Sequence, residues 1–321
     1  MTRTTLSALL PLLLLAGTAR AEPSFDVQPA KAKPGDPVLV TVRGVQTPPT
    51  GAIGDRQLKF YPVKRGFQAI TGLPVEVAPG MLPVKLSVLP SKEASEPLEL
   101  TGALEVVPPG YPAREIKVAS QYVDAPPPET QEKIKADQEA FAKAYLQPFG
   151  PPLFEKDFAW PRPPNFTAPF GDQRMYNGKK QSQHFGTDFE GKVGAPITAS
   201  NDGVVVLARS AFYSGNTVVL HHGAGLYTAY FHLSKFGVKL GDTVRQGQRI
   251  GLVGKTGRVT GPHLHWGVKV SDIYVDGVTL VKLLSFGGGP AQGGSAAESS
   301  GTGASAAPGA SAPAAAPAAR P

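Results

Sequence analysis

The sequence predicts a mainly β protein in which two β-rich regions are joined by one helix. Short runs of β-branched and aromatic residues recur along the chain, and glycine and proline, 37 and 33 of the 321 residues, separate them. Only residues 129–146 carry apolar side chains at helical spacing. A chain of this length is long enough for two domains.

Residues 1–21 have the features of a signal peptide. Arg3 supplies a positive charge, Leu6 to Ala16 is an apolar run too short to span a bilayer, and Ala19-Arg20-Ala21 is a small-x-small cleavage site. No later run is apolar enough to cross a membrane, so we expect no membrane span. The chain has no cysteine, which excludes a lipid-modified cysteine and a disulfide framework. We therefore expect export to the periplasm, or to the extracellular space or cell wall, of a bacterium.

Residues 22–108 are predicted to form a β-sandwich domain. Strands are expected at Phe25–Val27, Val38–Val42, Gln57–Tyr61, Val75–Val77, Pro83–Leu89 and Leu98–Val107. Short strands at this spacing, with Lys33-Pro34-Gly35-Asp36 as a turn, favour an immunoglobulin-like sandwich. No polar constellation in this region suggests chemistry, so a spacer or a substrate-positioning module is the expected role.

A connector and a tail flank the second β region. Residues 109–165 form the connector: after Ala125-Pro126-Pro127-Pro128, one helix is predicted from Glu129 to Leu146, ending before Pro148 and packing on one or both domains. Residues 286–321 are a Gly/Ala/Pro/Ser tail with too few large apolar side chains to bury, so we expect disorder there.

Two short motifs predict a metal site. His184-Phe185-Gly186-Thr187-Asp188 pairs a histidine with a carboxylate, and His263-Leu264-His265 follows later in the same β-rich region. Side chains alternate along a strand, so both imidazoles of His-x-His lie on one face. Catalytic zinc usually takes three protein ligands and keeps one open position. Three of the six histidines lie in these motifs, and His232 lies between them.

The stretch from Phe170 to Trp266 closely resembles the lysostaphin-type, or LytM-like, zinc metallopeptidases of bacterial cell walls. The matching segments are Phe170-Gly171, Arg174, Asn177-Gly178, His184-Phe185-Gly186-Thr187-Asp188-Phe189, Gly194-Ala195-Pro196-Ile197, Ala199, Gly203-Val204-Val205, Gly215–Leu220, His222, Tyr230-Phe231-His232-Leu233-Ser234, Gly247-Gln248, Ile250-Gly251, Gly254, Thr256-Gly257-Arg258 and Thr260–His265. Trp266 stands where the family more often has Phe or Tyr, so an aromatic residue is kept.

The resemblance implies an antiparallel two-sheet catalytic domain over residues 166–285 and assigns its site residues. His184, Asp188 and His265 would bind one Zn²⁺, which lowers the pKa of a bound water to about 7. His263 would act as general base and then protonate the leaving amine. His232 would orient the water or stabilise the oxyanion, and the division of labour between these two histidines stays open.

Other residues near the motifs receive weaker assignments. Arg174 and Asn177 match a family segment at the cleft and are candidate substrate contacts, or else belong to a local turn; Tyr176 is a third candidate. His222 is predicted to be structural and His221 to be exposed, since neighbours on a strand face opposite sides. Gly215-Asn216 is predicted to be a hairpin turn.

The resemblance implies a secreted zinc metalloendopeptidase that hydrolyses peptide cross-links of peptidoglycan. The alternative is a catalytically inactive LytM-like activator of a cell-wall amidase, but such domains typically lack metal ligands. A third alternative is a carrier domain, because Val238–Gly254 resembles the strand pattern of biotinyl and lipoyl carriers. That pattern requires an acceptor lysine at a hairpin tip, and no lysine is suitably flanked there.

The net charge of +7 favours an acidic partner, and the scattered basic residues form no nucleic-acid motif. Peptidoglycan stem peptides are the expected partner and a monomer the expected state. Whether direct D-alanyl–diaminopimelate or glycine-bridge cross-links are cut stays open.

Overall fold

The computed structural model describes residues 22–89, 91 and 94–285. The predicted signal peptide, residues 1–21, and the predicted tail, residues 286–321, lie outside them. Strands dominate the described part of the chain, which confirms the mainly β prediction, and no helix in it is long and apolar enough to cross a membrane.

The amino-terminal region forms two sheets around a shared core. Its strands are β1 Ser24–Gln28, β2 Lys31–Ala32, β3 Pro37–Arg43, β4 Thr50–Ile53, β5 Arg56–Gln57, β6 Tyr61–Val63, β7 Gly66–Gly72, β8 Gly80–Val88 and β9 Leu98–Val106. One sheet has the order β1-β3-β7-β6 and the other β2-β9-β8-β4-β5. Alternate side chains of β3 and β8 meet between the sheets. Two facing sheets are what a sandwich requires; its immunoglobulin-like connectivity stays a prediction.

Three local predictions in this region are wrong. Val75–Val77 is a turn, closed by the Val77 amide donating to the Pro74 carbonyl at 3.2 Å, and not a strand. Gln57–Tyr61 is divided between β5 and β6, which belong to different sheets. The strand β7, which the sequence analysis missed, lies between β3 and β6 and forms a tight hairpin with β6.

The connector contains a short strand, a 3-10 turn and a helix. These are β10 Ala113–Ile116, Ser120–Tyr122 and α1 Pro128–Ala144. The helix ends two residues before the predicted Leu146. Its apolar face packs on the second β region, and its Asp137 carboxylate accepts from the Phe212 amide at 2.8 Å and from Arg209 Nε at 2.7 Å.

The second β region is one large sheet with a small one beside it. Its elements are β11 Phe166–Ala168, β12 Gln173–Tyr176, β13 Lys180–Gln183, β14 Thr187–Glu190, β15 Pro196–Thr198, β16 Gly203–Ala211, β17 Gly215–His221, β18 Leu226–Phe236, β19 Thr243–Val244, β20 Arg249–Val253, β21 His263–Val270, β22 Ile273–Val275 and α2 Gly277–Leu283. The large sheet runs β11-β14-β21-β18-β17-β16-β19, and β10, β12 and β13 form the small one. Gly215-Asn216 begins β17; the turn precedes it at residues 212–214, which corrects the predicted hairpin turn.

The two β regions share one apolar core. Leu39, Tyr61 and Ile70 of the first region pack in the same cluster as Val275 and Leu280 of the second. Gly72 permits this approach: a Cβ there would lie 2.6 Å from a methyl of Val275 and 2.8 Å from one of Ile273. The amino-terminal region is therefore docked on the second region directly, and not through α1.

His222 is a buried structural histidine, as predicted. One ring nitrogen, Nδ1, donates to the Asp202 carbonyl at 2.7 Å, and Nε2 lies 2.8 Å from Thr228 Oγ1. His221 is half-buried against the Tyr227 ring, 4.7 Å between centroids, so the prediction that it is exposed is wrong.

The free energy of unfolding should depend on pH through His222. Burial lowers the pKa of His222 to about 4, whereas an exposed histidine titrates near about 6.5. Between these values only the unfolded chain takes up the proton, so stability should fall as pH falls from about 6.5 towards about 4, by up to about 3 kcal/mol. Urea unfolding with a chelator at pH 7 and pH 5 measures this. His222→Gln should weaken the dependence, and an unchanged slope would contradict it.

Candidate metal centre

Two adjacent strands bring three candidate ligands and one further histidine together. Asp188 on β14 lies directly opposite His265 on the antiparallel β21. His263 lies two residues before His265, so strand alternation directs it to the same face. His184 comes from the loop that leads into β14. The structure thus places the two sequence motifs side by side.

The ligand atoms converge at distances suited to a single ion. His184 Nε2 lies 3.0 Å from Asp188 Oδ1 and 2.9 Å from His265 Nδ1, and His265 Nδ1 lies 2.7 Å from Asp188 Oδ1. Zinc bound tetrahedrally at about 2.0–2.2 Å holds its ligands roughly 3.3 Å apart. Within the described residues, this is the only group of three potential metal-ligating side chains whose ligand atoms all lie within 4.8 Å of one another.

Backbone carbonyls fix the orientation of three histidine rings. Nδ1 of His184 lies 2.6 Å from the Pro169 carbonyl, Nδ1 of His232 2.8 Å from that of Thr256, and Nδ1 of His263 2.9 Å from that of Gly261. A carbonyl only accepts, so each Nδ1 carries the proton and each neutral ring presents an Nε2 lone pair to the centre. The His184 lone pair faces His265 Nδ1, an arrangement that a cation between them satisfies.

Nε2 of His232 and Nε2 of His263 are buried and have no hydrogen-bond partner among the residues that the structure describes. Their ring centroids lie 5.1 Å apart, and that of His232 lies 6.1 Å from that of His265. Buried polar atoms are normally paired, so two such acceptors beside a metal-type donor set indicate a place for a ligand or a water. Together with the donor set, they fit a catalytic metal centre.

The backbone bends at His232 to direct its ring into this space. Strand β18 pairs with β21 up to Phe231 opposite His265, and it pairs with β20 from Leu233 onward. His232 stands at this change of partner with a φ of 64°. A left-handed conformation is uncommon for residues other than glycine and concentrates at functional sites.

Arg174 supports the Asp188 carboxylate from behind. Arg174 Nη2 lies 3.4 Å from Asp188 Oδ2 and 3.6 Å from Asp172 Oδ2, and all three side chains are buried. Burial alone would raise the pKa of Asp188, but its interactions with His184 and His265 outweigh the effect of burial and hold that pKa well below its usual range. Asp188 is therefore an anion at neutral pH.

The three residues predicted to contact substrate are each held by contacts within the protein, and their role in substrate binding stays a prediction. Arg174 is enclosed as described, and Tyr176 is buried beneath Arg258, whose guanidinium lies 4.8 Å from its ring centroid. The Asn177 amide bonds to both backbone groups of Val118, at 3.0 and 2.9 Å, and its φ of 51° places it in the turn after β12. Arg174 and Tyr176 thus support the centre, and Asn177 fastens the connector.

Gly186 leaves room for the His265 ring. A Cβ at this position would lie 2.5 Å from Cε1 and 2.7 Å from Nε2 of that ring. The glycine inside the first motif is thus required by a side chain of the second motif.

The connector covers the loops that flank the centre. The Tyr122 hydroxyl donates to the Gly257 carbonyl at 3.0 Å, and its ring packs on Phe212, 5.5 Å between centroids. The loop carbonyl of Thr256 orients His232, as described, and Ser214 in the turn accepts from the His232 amide at 3.0 Å. The histidines and the aspartate of the centre are between 0 and 5% exposed.

Sequence reasoning missed Asp172, Arg258 and Tyr122. Asp172 lies two residues before Arg174, an alternation that could have indicated a buried ion pair on one strand face. Arg258 lies in the glycine-rich loop before His263, but only folding shows that its guanidinium is buried. Nothing in the sequence around Tyr122 indicated contact with that loop.

Comparison with known proteins identifies the family. Residues 182–277 match the family described as Peptidase family M23. The chain is 56% identical over 88 residues to Peptidoglycan DD-endopeptidase ShyA of Vibrio cholerae, covering 27% of this chain and 20% of that relative. It is 47% identical over 93 residues to ShyB of the same organism, covering 29% and 22%.

One solved structure matches most of the chain. A Pseudomonas aeruginosa protein, described as a candidate peptidase M23, superposes with a TM-score of 0.56 at 28% identity, over 78% of this chain and 94% of that one. Residues 182–277 thus form a peptidase family M23 domain, and the centre lies within it. It spans only about a fifth of the length of the curated relatives it matches.

Removal of a ligand should remove the metal. His184→Ala and His265→Ala should each lose bound metal on dialysis, because two remaining ligands hold an ion weakly. Metal analysis of the purified variants measures this. His222→Gln, which alters an equally buried histidine outside the centre, should keep the parental metal content. Stoichiometric metal in both alanine variants would contradict the ligand assignment.

Proposed function

We propose that the chain is a zinc endopeptidase that hydrolyses peptide cross-links of bacterial peptidoglycan. The observation that carries the proposal is the convergence of His184, Asp188 and His265 beside the unpartnered Nε2 atoms of His232 and His263. Two neutral imidazoles and one carboxylate leave a bound Zn²⁺ with net positive charge. Bound there, the ion would supply Lewis acidity at a scissile carbonyl and an attacking nucleophile at neutral pH.

His263 is proposed as the general base. Its Nδ1 donates to the Gly261 carbonyl, so its Nε2 can accept a proton from the attacking water and pass it to the leaving amine. Nε2 lies 3.8 Å from Asp188 Oδ1, where the carboxylate stabilises the imidazolium that forms. The fixed ring keeps this acceptor aimed at the centre throughout the reaction.

His232 is proposed to orient the attacking water. Burial, followed by the charges of His263 and His265, holds the pKa of His232 well below its usual range. The neutral ring has its one proton on Nδ1, committed to the Thr256 carbonyl, so Nε2 accepts a hydrogen bond and does not donate one. An acceptor suits the orientation of water better than the stabilisation of an oxyanion.

The inactive amidase activator is the weaker candidate. An activator has no need of a complete donor set, nor of two orphaned imidazole acceptors aimed at it. Here all five side chains are present, and three backbone carbonyls hold the rings in the tautomers that catalysis requires.

The substrate is proposed to be the stem-peptide cross-link, reached as an exported monomer. The sequence features of residues 1–21 support export, and the basic net charge of +7 suits an acidic wall polymer. The curated relatives are named peptidoglycan DD-endopeptidases, which favours the direct D-alanyl–diaminopimelate bond over glycine bridges. Mass analysis of fragments released from sacculi of each cross-link type tests this; release from neither would overturn the proposed function.

The two histidines outside the ligand set, His232 and His263, should be dispensable for metal binding and essential for cleavage. His263→Ala and His232→Ala should keep bound metal while cleavage falls by roughly 10²–10⁴-fold, the usual contribution of acid–base catalysis. Metal analysis and cross-link hydrolysis on the same preparations measure both. A variant that cleaves at the parental rate would refute the role proposed for that residue.

A further inference from the structure

Arg258 is a buried cation that has no carboxylate partner among the described residues. Its side chain is 2% exposed, and its Nε is buried without a hydrogen-bond acceptor. The guanidinium lies between two aromatic rings, 4.8 Å from the centroid of Tyr176 and 4.9 Å from that of Tyr213.

Such a charge is costly to bury. The two rings compensate for part of the cost through cation–π contacts. The nearby Arg174 has Asp172 and Asp188 as partners, whereas Arg258 faces repulsion from Arg174. Burial lowers the pKa of Arg258, followed by smaller opposing effects of the tyrosines. This environment favours an anion beside the guanidinium.

In the structure, the connector contacts the guanidinium with a neutral group. Arg258 Nη1 donates to the Tyr122 carbonyl at 3.3 Å, a long hydrogen bond to a neutral oxygen. The Tyr122 side chain returns a bond to the Gly257 carbonyl at 3.0 Å. A peptide oxygen from another segment thus already lies against the guanidinium.

Arg258 is connected to the proposed catalytic groups through its own loop and through Tyr176. Thr256, whose carbonyl orients His232, precedes it by two residues in the same loop. Tyr176, which Arg258 covers, belongs to the strand that also carries Arg174 behind Asp188. A ligand held by Arg258 would therefore lie beside the centre.

We propose that Arg258 is a specificity-determining residue that binds a carboxylate of the cross-linked stem peptide, in the place that the Tyr122 carbonyl now occupies. This inference rests on the proposed function. A guanidinium binds a carboxylate through two parallel N–H donors, which a single carbonyl cannot match. Substrate would displace the Ser120–Tyr122 turn and neutralise the buried charge.

The test compares two cross-linked peptides that differ only in amidation of their free carboxylates. The wild-type protein should prefer the carboxylate form by about 10- to 100-fold in kcat/KM, the usual effect of one charged hydrogen-bonded pair. Arg258→Gln should lose this preference by losing activity on the carboxylate form alone. Arg258→Lys, which keeps the positive charge but not the two parallel N–H donors, should keep a reduced preference.

Lys255→Gln is the matched control, because it removes an exposed cation from the same loop. It should retain the full preference, which separates a specific contact from a general charge effect. The preference ratio does not move if Arg258 only stabilises the loop, since both substrates then lose activity equally. An unchanged ratio in Arg258→Gln, or no preference in the wild-type protein, overturns the proposal.

A binding measurement separates this proposal from the proposed function. Calorimetric titration of the His263→Ala protein with an uncross-linked stem peptide needs no turnover. The carboxylate form should bind more tightly than its amide, and this difference should be lost when Arg258→Gln is added. That result supports carboxylate binding by Arg258 even if no cross-link is cut. Equal binding of the two forms overturns it. Failure of the wild-type protein to cut any cross-link counts against the enzyme assignment alone.

Discussion

The centre depends on one buried carboxylate. Asp188 lies within 3.0 Å of both candidate histidine ligands, and Arg174 contacts its other oxygen. Burying an anion is costly unless it is paired. The Arg174 guanidinium supplies one partner, and a cation held between Asp188 and the two imidazoles would supply another. Strand pairing of β14 with β21 sets Asp188 opposite His265, so the large sheet itself fixes the geometry.

Backbone groups determine how the histidines act. Carbonyls of Pro169, Thr256 and Gly261 take the Nδ1 protons, and this leaves Nε2 acceptors facing inward. Two of these carbonyls belong to the loop before β21, so that loop orients both proposed catalytic rings at once. The bend of β18 at His232, where the strand changes partner, completes the set.

The connector links the amino-terminal region to this loop. Its helix holds the Phe212 amide through Asp137, and Tyr122 bonds to Gly257 on the other side. The amino-terminal region meanwhile shares an apolar core with the carboxyl-terminal elements of the second region. Elements remote in sequence therefore hold the two loops that surround the centre in position.

The sequence alone determined the mainly β class, the family and the grouping of His184, Asp188, His232, His263 and His265, because short motifs and strand alternation are local properties. It also predicted α1 to within two residues at its carboxyl end. It missed β7 and misjudged Val75–Val77, since a strand is defined by partners that a local pattern does not contain. The tertiary structure alone decided that Arg174 supports Asp188, that Gly186 makes room for His265, and that Arg258 lies buried beneath Tyr122. Each of these features depends on contacts between segments far apart in the chain. Whether a charged side chain is buried is decided by those contacts and not by the residue type.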